Sequence, residues 1–160
     1  TCRLRVDRVD ALDDGSLVIL DYKTGQRASH GDWLRDRLGE PQLPLYAVFA
    51  EEGTLGGVAF AKVRRDDKRG FDGVVMCEGV LPAHGKAVLV AGDAGDAADA
   101  ADAGELSLAT WRERWRKAIE GLAADFVAGV AAVDPAAPST CDYCGLDTLC
   151  RWHLAGEDRR

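Results

Sequence analysis

The stretch RLRVDRVDALDDGSLVILDYK, residues 3–23, decides the fold. Apolar and charged residues alternate over 3–10, and residues 16–23 form a dense apolar run. Between them, residues 13–15 read Asp-Asp-Gly, a turn signal, because glycine tolerates the positive φ that tight turns require. The pattern predicts a β-hairpin with strands over 3–10 and 16–23.

Hydrophobic spacing predicts the remaining elements. A short helix, two further strands and one long helix are expected over 41–52, 57–64, 71–78 and 107–131. The segments 24–40 and 80–105 are expected to be loops, and the Ala/Asp/Gly-rich part of the second, 92–105, a flexible insertion. Strands mixed with helices indicate an α/β fold with a mixed central sheet, and we expect a core over 1–134 and a tail over 135–160.

The composition limits the class of protein to which this chain can belong. The chain has 160 residues, 47% of them hydrophobic and 29% charged, which is ordinary for a soluble globular protein. It has neither an apolar run of about 20 residues nor a signal peptide, so we expect a cytoplasmic protein. It starts at Thr1 without a methionine, which suggests a fragment of a longer protein. The net charge of -7 argues weakly against binding nucleic acid by charge alone, but five acidic residues lie within 92–105.

Asp7, Asp21 and Lys23 form the candidate site. In a strand, residues i and i+2 point to the same face, so Asp21 and Lys23 share one, and a paired strand brings Asp7 beside them. Two converging carboxylates repel unless a cation lies between them, and Mg²⁺ or Mn²⁺ prefers such oxygen ligands. The alternative is a solvated strand end with a surface ion pair, since Asp-x-Lys is common by chance.

The run VDRVDALDDGSLVILDYKTG, residues 6–25, resembles the PD-(D/E)XK nuclease core of the RecB/AddB family. That family has an Asp in a first strand, a turn, a strand ending in DYK(T/S), and a Q-x-x-x-Y helix. Here Gln42 and Tyr46 supply the last motif, and EPQLPLYA, residues 40–47, resembles AddB-like bacterial "probable DNA repair" proteins. The resemblance implies a restriction-endonuclease-like fold.

The resemblance also implies roles for individual residues. Asp7, Asp21 and the backbone carbonyl of Tyr22 would bind Mg²⁺ or Mn²⁺, and Lys23 would be the catalytic lysine. Gln42 and Tyr46 would support the site or contact DNA.

Asp10 is interpreted as a supporting residue or a structural ion-pair partner of Arg8. Leu4 and Arg5 stand where the family has a small residue. The family's upstream helix, which carries a His or Glu ligand, has no counterpart before Thr1, so we expect this chain alone to bind metal weakly and cleave DNA poorly.

A cysteine cluster lies near the C-terminus, and clustering of this kind indicates metal or iron–sulfur ligation. Cys141, Cys144 and Cys150 resemble the three-cysteine motif of AddB-like and CRISPR-adaptation nucleases, which bind a [4Fe-4S] cluster with a fourth, upstream cysteine. Cys2 or His153 are alternative fourth ligands, and His153 would give a Cys₃His set that suits zinc. Three free cysteines without metal is the other interpretation.

The resemblance implies an exonuclease that processes DNA ends in repair, with an AddA-like helicase partner. ATP would be the partner's fuel, because this chain has no phosphate-binding loop of the G-x-x-x-x-G-K-[ST] type. Two alternatives stay open: an inactive DNA-binding or assembly module of the same fold, and a zinc-binding interaction domain. We interpret Trp111 and Trp115 as core residues and Arg112 as part of a solvated face, and we assign no role to His30.

Overall fold

The structure is a computed structural model, and it describes residues 3–25, 28–35, 37–51, 54–65, 69–82, 87–91, 107–142 and 144–150. Its contacts divide the chain into two compact units, Thr1–Leu122 and Ala123–Arg160. The predicted core and tail, divided at residue 134, stay a prediction. The predicted flexible insertion, 92–105, lies outside the described residues.

The centre of the first unit is a five-stranded mixed sheet in the order β1-β2-β3-β4-β5. Its strands are β1 (Arg8–Ala11), β2 (Leu17–Lys23), β3 (Leu55–Lys62), β4 (Gly70–Val75) and β5 (Ala87–Val90). The pairs β1/β2 and β3/β4 are antiparallel, and β2/β3 and β4/β5 are parallel. Three helical segments accompany it: a 3-10 helix at His30–Trp33, α1 (Gln42–Phe49) and α2 (Leu108–Ala128). This confirms the predicted α/β fold with a mixed central sheet flanked by helices.

The β1/β2 hairpin forms as its sequence predicts. The Leu12 amide donates to the Ser16 carbonyl at 2.8 Å, and Gly15 has a φ of +83°. Asp14 accepts from both the amide and the hydroxyl of Ser16, which closes the turn. β1 starts at Arg8, not at residue 3. Next to Arg8, the amide of Tyr22 donates to the side chain of Asp7 and not to a backbone carbonyl, so the strand ladder ends there.

The two faces of the sheet carry two different apolar clusters, as strand alternation requires. The larger cluster joins Ile19, Val58, Phe60 and Val74 to the helices. On the opposite face, Val18, Leu20 and Ala59 form a smaller cluster with Leu12, Phe71, Val80 and Leu81. The larger cluster therefore decides where the helices dock.

Three tryptophans anchor the helices to the sheet. Trp33, Trp111 and Trp115 are each 1% exposed, which confirms the core interpretation of the last two. Trp33 packs on Phe60 with ring centroids 4.8 Å apart, and the Trp115 indole donates to the Trp33 carbonyl at 3.1 Å. These contacts fix α2 and the 3-10 helix over the larger cluster.

Two segments differ from the prediction. The stretch 80–105 is not all loop, because Ala87–Val90 forms β5 and pairs in parallel with β4. A four-residue apolar run is too short for periodicity to distinguish a strand from a loop. The predicted loop 24–40 contains the one-turn 3-10 helix His30–Trp33.

The second unit contains the last residues of α2, then a 3-10 helix (Pro138–Cys141) and the one-turn α3 (Asp147–Cys150). Among the described residues, no helix has the length and apolar character needed to cross a membrane.

Candidate active site

Asp7 and Asp21 face each other at one end of the β1/β2 hairpin. Arg8 pairs with Leu20, so the residue before Arg8 stands opposite the residue after Leu20. The carboxylate of Asp7 accepts a hydrogen bond from the Tyr22 amide at 3.1 Å, which ties it to β2. The hairpin register therefore brings the two predicted acidic residues together.

Asp21 is the buried member of this pair, with 2% of its surface exposed. The ammonium of Lys23 lies 2.8 Å from its Oδ2 atom. This contact is a close ion pair but lacks the angles of a hydrogen bond, so Oδ2 is a buried acceptor without a hydrogen bond from the described residues. Buried acceptors of that kind are rare, and a cation is one group that would satisfy it.

Lys23 stays charged although its side chain is only 25% exposed. Burial by itself lowers the pKa of Lys23, but the direct contact with the Asp21 carboxylate and the negative charges of Asp21, Glu40 and Asp7 outweigh it and raise the pKa above its ordinary value. The ammonium also lies 5.4 Å from the centroid of the Phe60 ring, a favourable cation–π position. The site thus contains a lysine whose raised pKa favours the protonated form, next to two carboxylates.

Gln42 and Tyr46 connect α1 to the site. They lie one turn apart on the helix, and the Gln42 amide donates to the Tyr46 hydroxyl at 3.0 Å. Lys23 donates to Gln42 Oε1 at 3.4 Å, and Tyr46 donates to the Arg5 carbonyl at 2.5 Å. This chain of contacts orients Lys23 and joins α1 to the segment before β1; a contact of either residue with DNA stays a prediction.

Asp10 does not join Asp21. It pairs with Val18, whose side chain lies on the opposite face of β2 from that of Asp21. Its carboxylate accepts from Arg8 Nε at 2.7 Å, and Arg8 also donates to the Tyr22 hydroxyl at 3.2 Å. The ion pair expected between Arg8 and Asp10 is present, on the far side of the sheet.

A second charged cluster, which the sequence did not predict, lies on the same face as Asp21. Asp72 in β4 is 3% exposed and contacts both His30 and Lys62. The detectable signal was Asp72 itself, because a lone carboxylate in an apolar strand needs partners. The partners were not predictable, since His30 is 42 residues away in the chain.

Glu40 is another residue that sequence reasoning missed. Its negative charge raises the pKa of Lys23, and its φ of +45° is in the left-handed region, which non-glycine residues rarely adopt. The Trp33 indole donates to the Glu40 carbonyl at 3.2 Å and holds this turn in place.

The sequence placed Arg112 on a solvated face, but the structure shows that it is not part of one. Its guanidinium donates to the carbonyls of Ala47 at 2.9 Å, Val48 at 3.1 Å, and Ala50. These carbonyls belong to the C-terminal end of α1, where backbone acceptors have no partner within the helix and the helix dipole is negative. Arg112 therefore holds the helix that carries Gln42 and Tyr46.

The three tail cysteines lie close in sequence, but the described residues do not group them into a metal site. Cys141 and Cys150 are partly exposed and Cys144 is exposed. Within the part of the chain that the structure describes, no three His, Cys, Asp or Glu residues are grouped to hold a metal ion. The alternative fourth ligands, Cys2 and His153, lie outside the described residues. The [4Fe-4S] cluster and the zinc alternative stay predictions.

Comparison with known proteins gives one match. No curated protein and no solved structure is detectably similar to this chain. The family model of the PD-(D/E)XK nuclease superfamily matches residues 3–151, and so covers both the Asp7/Asp21/Lys23 site and the cysteine segment. Since this match spans most of the sequence, the chain belongs to the PD-(D/E)XK nuclease superfamily.

Proposed function

We propose that this chain is a Mg²⁺- or Mn²⁺-dependent nuclease domain that hydrolyses phosphodiester bonds in DNA, with Asp7, Asp21 and Lys23 as its catalytic residues. Proteins of this superfamily are generally metal-dependent nucleases, which implies DNA as the substrate. The observation that carries the proposal is the buried Oδ2 atom of Asp21, which accepts no hydrogen bond from the described residues and lies 2.8 Å from the ammonium of Lys23.

The residues at the site suit a hard divalent cation. Asp7 and Asp21 supply carboxylate oxygens from facing positions, and the backbone carbonyl of Tyr22 is proposed as a third oxygen ligand. A bound Mg²⁺ or Mn²⁺ would lower the pKa of a water molecule and polarise the phosphate.

Lys23 contributes a fixed positive charge. Its raised pKa keeps the ammonium protonated, so it stabilises negative charge that develops on the phosphate oxygens. Gln42 limits its movement through the 3.4 Å contact to Nζ. Asp21 would attract Lys23 less strongly with a cation bound to it, and the Lys23 ammonium could then contact the phosphate.

The finer proposal is a RecB/AddB-like exonuclease domain that acts on DNA ends in repair with a helicase partner. Its support is the run DYKTG, residues 21–25, together with the spacing of Gln42 and Tyr46. A [4Fe-4S] cluster on Cys141, Cys144 and Cys150 belongs to the same proposal.

A second candidate function is a DNA-binding or assembly module of the same fold without cleavage. The observation that favours it is the small number of ligands, because no third His, Cys, Asp or Glu joins Asp7 and Asp21 among the described residues.

A cleavage assay separates the two candidates. The unaltered chain, which is expected to cleave DNA poorly by itself, should degrade linear DNA only when Mg²⁺ or Mn²⁺ is present, and Asp21→Asn and Lys23→Met are expected to reduce that slow rate at least about 100-fold. Asp10→Asn is the matched control, because it removes a carboxylate from the opposite face. Thermal unfolding of the same variants shows that they are folded, and DNA binding in EDTA is measured alongside the cleavage rate.

Metal-independent degradation, or equal loss of rate in Asp10→Asn and Asp21→Asn, would contradict the proposed site. DNA binding without any metal-dependent cleavage would favour the binding module.

A further inference from the structure

The second charged cluster, Asp72 with His30 and Lys62, is built around one buried carboxylate. Asp72 Oδ1 accepts from the His30 amide at 2.8 Å and lies 2.6 Å from the His30 ring Nδ1. Oδ2 accepts from the Lys62 ammonium at 2.5 Å. Both carboxylate oxygens therefore already have partners within the cluster.

The cationic end of the cluster reaches the surface. The side chain of Asp72 is 4% exposed, whereas those of Lys62 and His30 are 18% and 19% exposed. An ammonium has three N–H donors, and Lys62 uses one of them on Asp72. Among the described residues it makes no second hydrogen bond, so donors remain for a ligand at the surface.

Strand register places this lysine beside the proposed active site. Lys62 is the direct cross-strand partner of Lys23, and paired residues lie on the same face of a sheet. In the next row, Phe60 is paired with Asp21 on one side and with Asp72 on the other. Two Asp–Lys pairs thus flank Phe60 on one face.

Facing lysines on neighbouring strands repel each other, so this arrangement is unfavourable for the sheet alone. Each ammonium is drawn to its own carboxylate, at 2.8 Å for Lys23 and 2.5 Å for Lys62. An anion lying across both strands would remove the repulsion, and neighbouring strands are only about 4.8 Å apart. A phosphate of a nucleic-acid backbone has the charge and oxygen acceptors for this position.

We infer that Lys62 is a phosphate-binding residue, held in place by Asp72 and His30, that contacts the DNA backbone next to the phosphate held at Asp7, Asp21 and Lys23. This inference rests on the proposed nuclease function and names how that site holds its substrate. It assigns Lys62 to binding and leaves the chemical step to the first site.

The test is the salt dependence of DNA binding, measured by fluorescence anisotropy with a short duplex in EDTA so that no cleavage occurs. The logarithm of the association constant falls with the logarithm of the salt concentration, and each lost phosphate contact reduces the size of this slope by about 0.9 for duplex DNA. Lys62→Gln is expected to show that drop. Lys62→Arg keeps the charge, so it is expected to retain the slope of the unaltered chain.

Lys117→Gln is the matched control, because it removes the same charge from an exposed position on α2. Thermal unfolding of each variant shows whether it is folded, and the Lys62→Arg comparison keeps the test valid if Lys62→Gln is unstable. An unchanged slope in Lys62→Gln, the same drop in Lys117→Gln, or a drop in Lys62→Arg equal to that in Lys62→Gln would overturn the inference.

Failure of the nuclease proposal is a separate result. It would appear as an absence of metal-dependent cleavage by the unaltered chain, whatever the slope of Lys62→Gln. Failure of this inference alone would appear as metal-dependent cleavage by the unaltered chain together with an unchanged binding slope in Lys62→Gln.

Discussion

At the residue scale, the sheet face that carries the helices holds two buried carboxylates, Asp21 and Asp72, which differ in their hydrogen bonding. Asp72 accepts hydrogen bonds on both carboxylate oxygens, from His30 and Lys62, whereas Oδ2 of Asp21 accepts none from the described residues. Asp72 therefore stabilises the fold. Asp21 is suited to binding a ligand, because a buried charge without full compensation is costly.

Asp72 gives a prediction for pH. Burial alone raises the pKa of Asp72, but hydrogen bonds from His30 and Lys62 outweigh it, and the pKa lies below its ordinary 3.8. The folded protein then binds this proton less readily than the unfolded chain, so Asp72 stabilises the fold above about pH 4. That contribution is lost as pH falls through the lowered folded pKa.

The measurement is the free energy of unfolding by urea, from neutral to acid pH. Asp72→Asn is expected to reduce stability by about 3 kcal/mol at neutral pH and to flatten the decline below pH 4. Asp13→Asn, in the exposed turn, is the control. A decline just as steep in Asp72→Asn as in the unaltered chain would show that other groups cause it.

The sequence predicted contacts at the site only between residues that are close in the chain or that the hairpin joins. Asp21 and Lys23 share a face because they are two residues apart in one strand, and the hairpin turn fixes Asp7 opposite them. The contact of His30 with Asp72 depends on the register between β3 and β4 and on how the loop after β2 docks. Neither is encoded in a short stretch of sequence.

At the element scale, α1 is a short helix that depends on its neighbours. It has eight residues, too few for a helix to be stable by itself in water, and its N-cap Pro41 makes no side-chain hydrogen bond. Arg112 from α2 binds the carbonyls at its C-terminal end. The position of Gln42 beside Lys23 therefore depends on a residue of another helix.

Arg112→Met tests this dependence. It is expected to lower the free energy of unfolding by about 2 kcal/mol, because buried carbonyls lose hydrogen bonds from a charged donor. It is also expected to slow DNA cleavage, because Gln42 would no longer hold Lys23. Urea unfolding and a cleavage assay measure the two effects.

Arg114→Met is the matched control on the same helix. Its guanidinium lies over the Trp111 ring at 5.2 Å and is not among those that donate to α1. Equal effects of the two variants on stability would contradict the role given to Arg112.

Elements were predictable where their pattern is long. The 21-residue α2 and the strands of the hairpin follow from periodicity and turn chemistry, whereas β5 has four residues and was expected to be loop. The pairing of β2 with β3 is parallel and crosses α1, so its register depends on how the helix packs.

At the scale of the whole molecule, the charged residues of the proposed site and of the second charged cluster lie on one face of one sheet. Asp21, Lys23, Lys62 and Asp72 all lie on the side where the helices dock, and the ion pair of Arg8 with Asp10 lies on the other. The family match over residues 3–151 agrees with this arrangement as a nuclease fold. The fold class followed from the order of the elements, whereas the second charged cluster became visible only when β3, β4 and the 3-10 helix were assembled.

The most direct measurement is Mn²⁺ binding to the folded chain, followed by electron paramagnetic resonance of the free ion. The unaltered chain is expected to bind Mn²⁺ saturably, and Asp21→Asn is expected to weaken the affinity at least about tenfold, because it removes the buried carboxylate proposed as a ligand. Asp10→Asn is expected to bind like the unaltered chain. Absence of saturable binding, or an affinity that Asp21→Asn leaves unchanged, would contradict the proposed metal-dependent site.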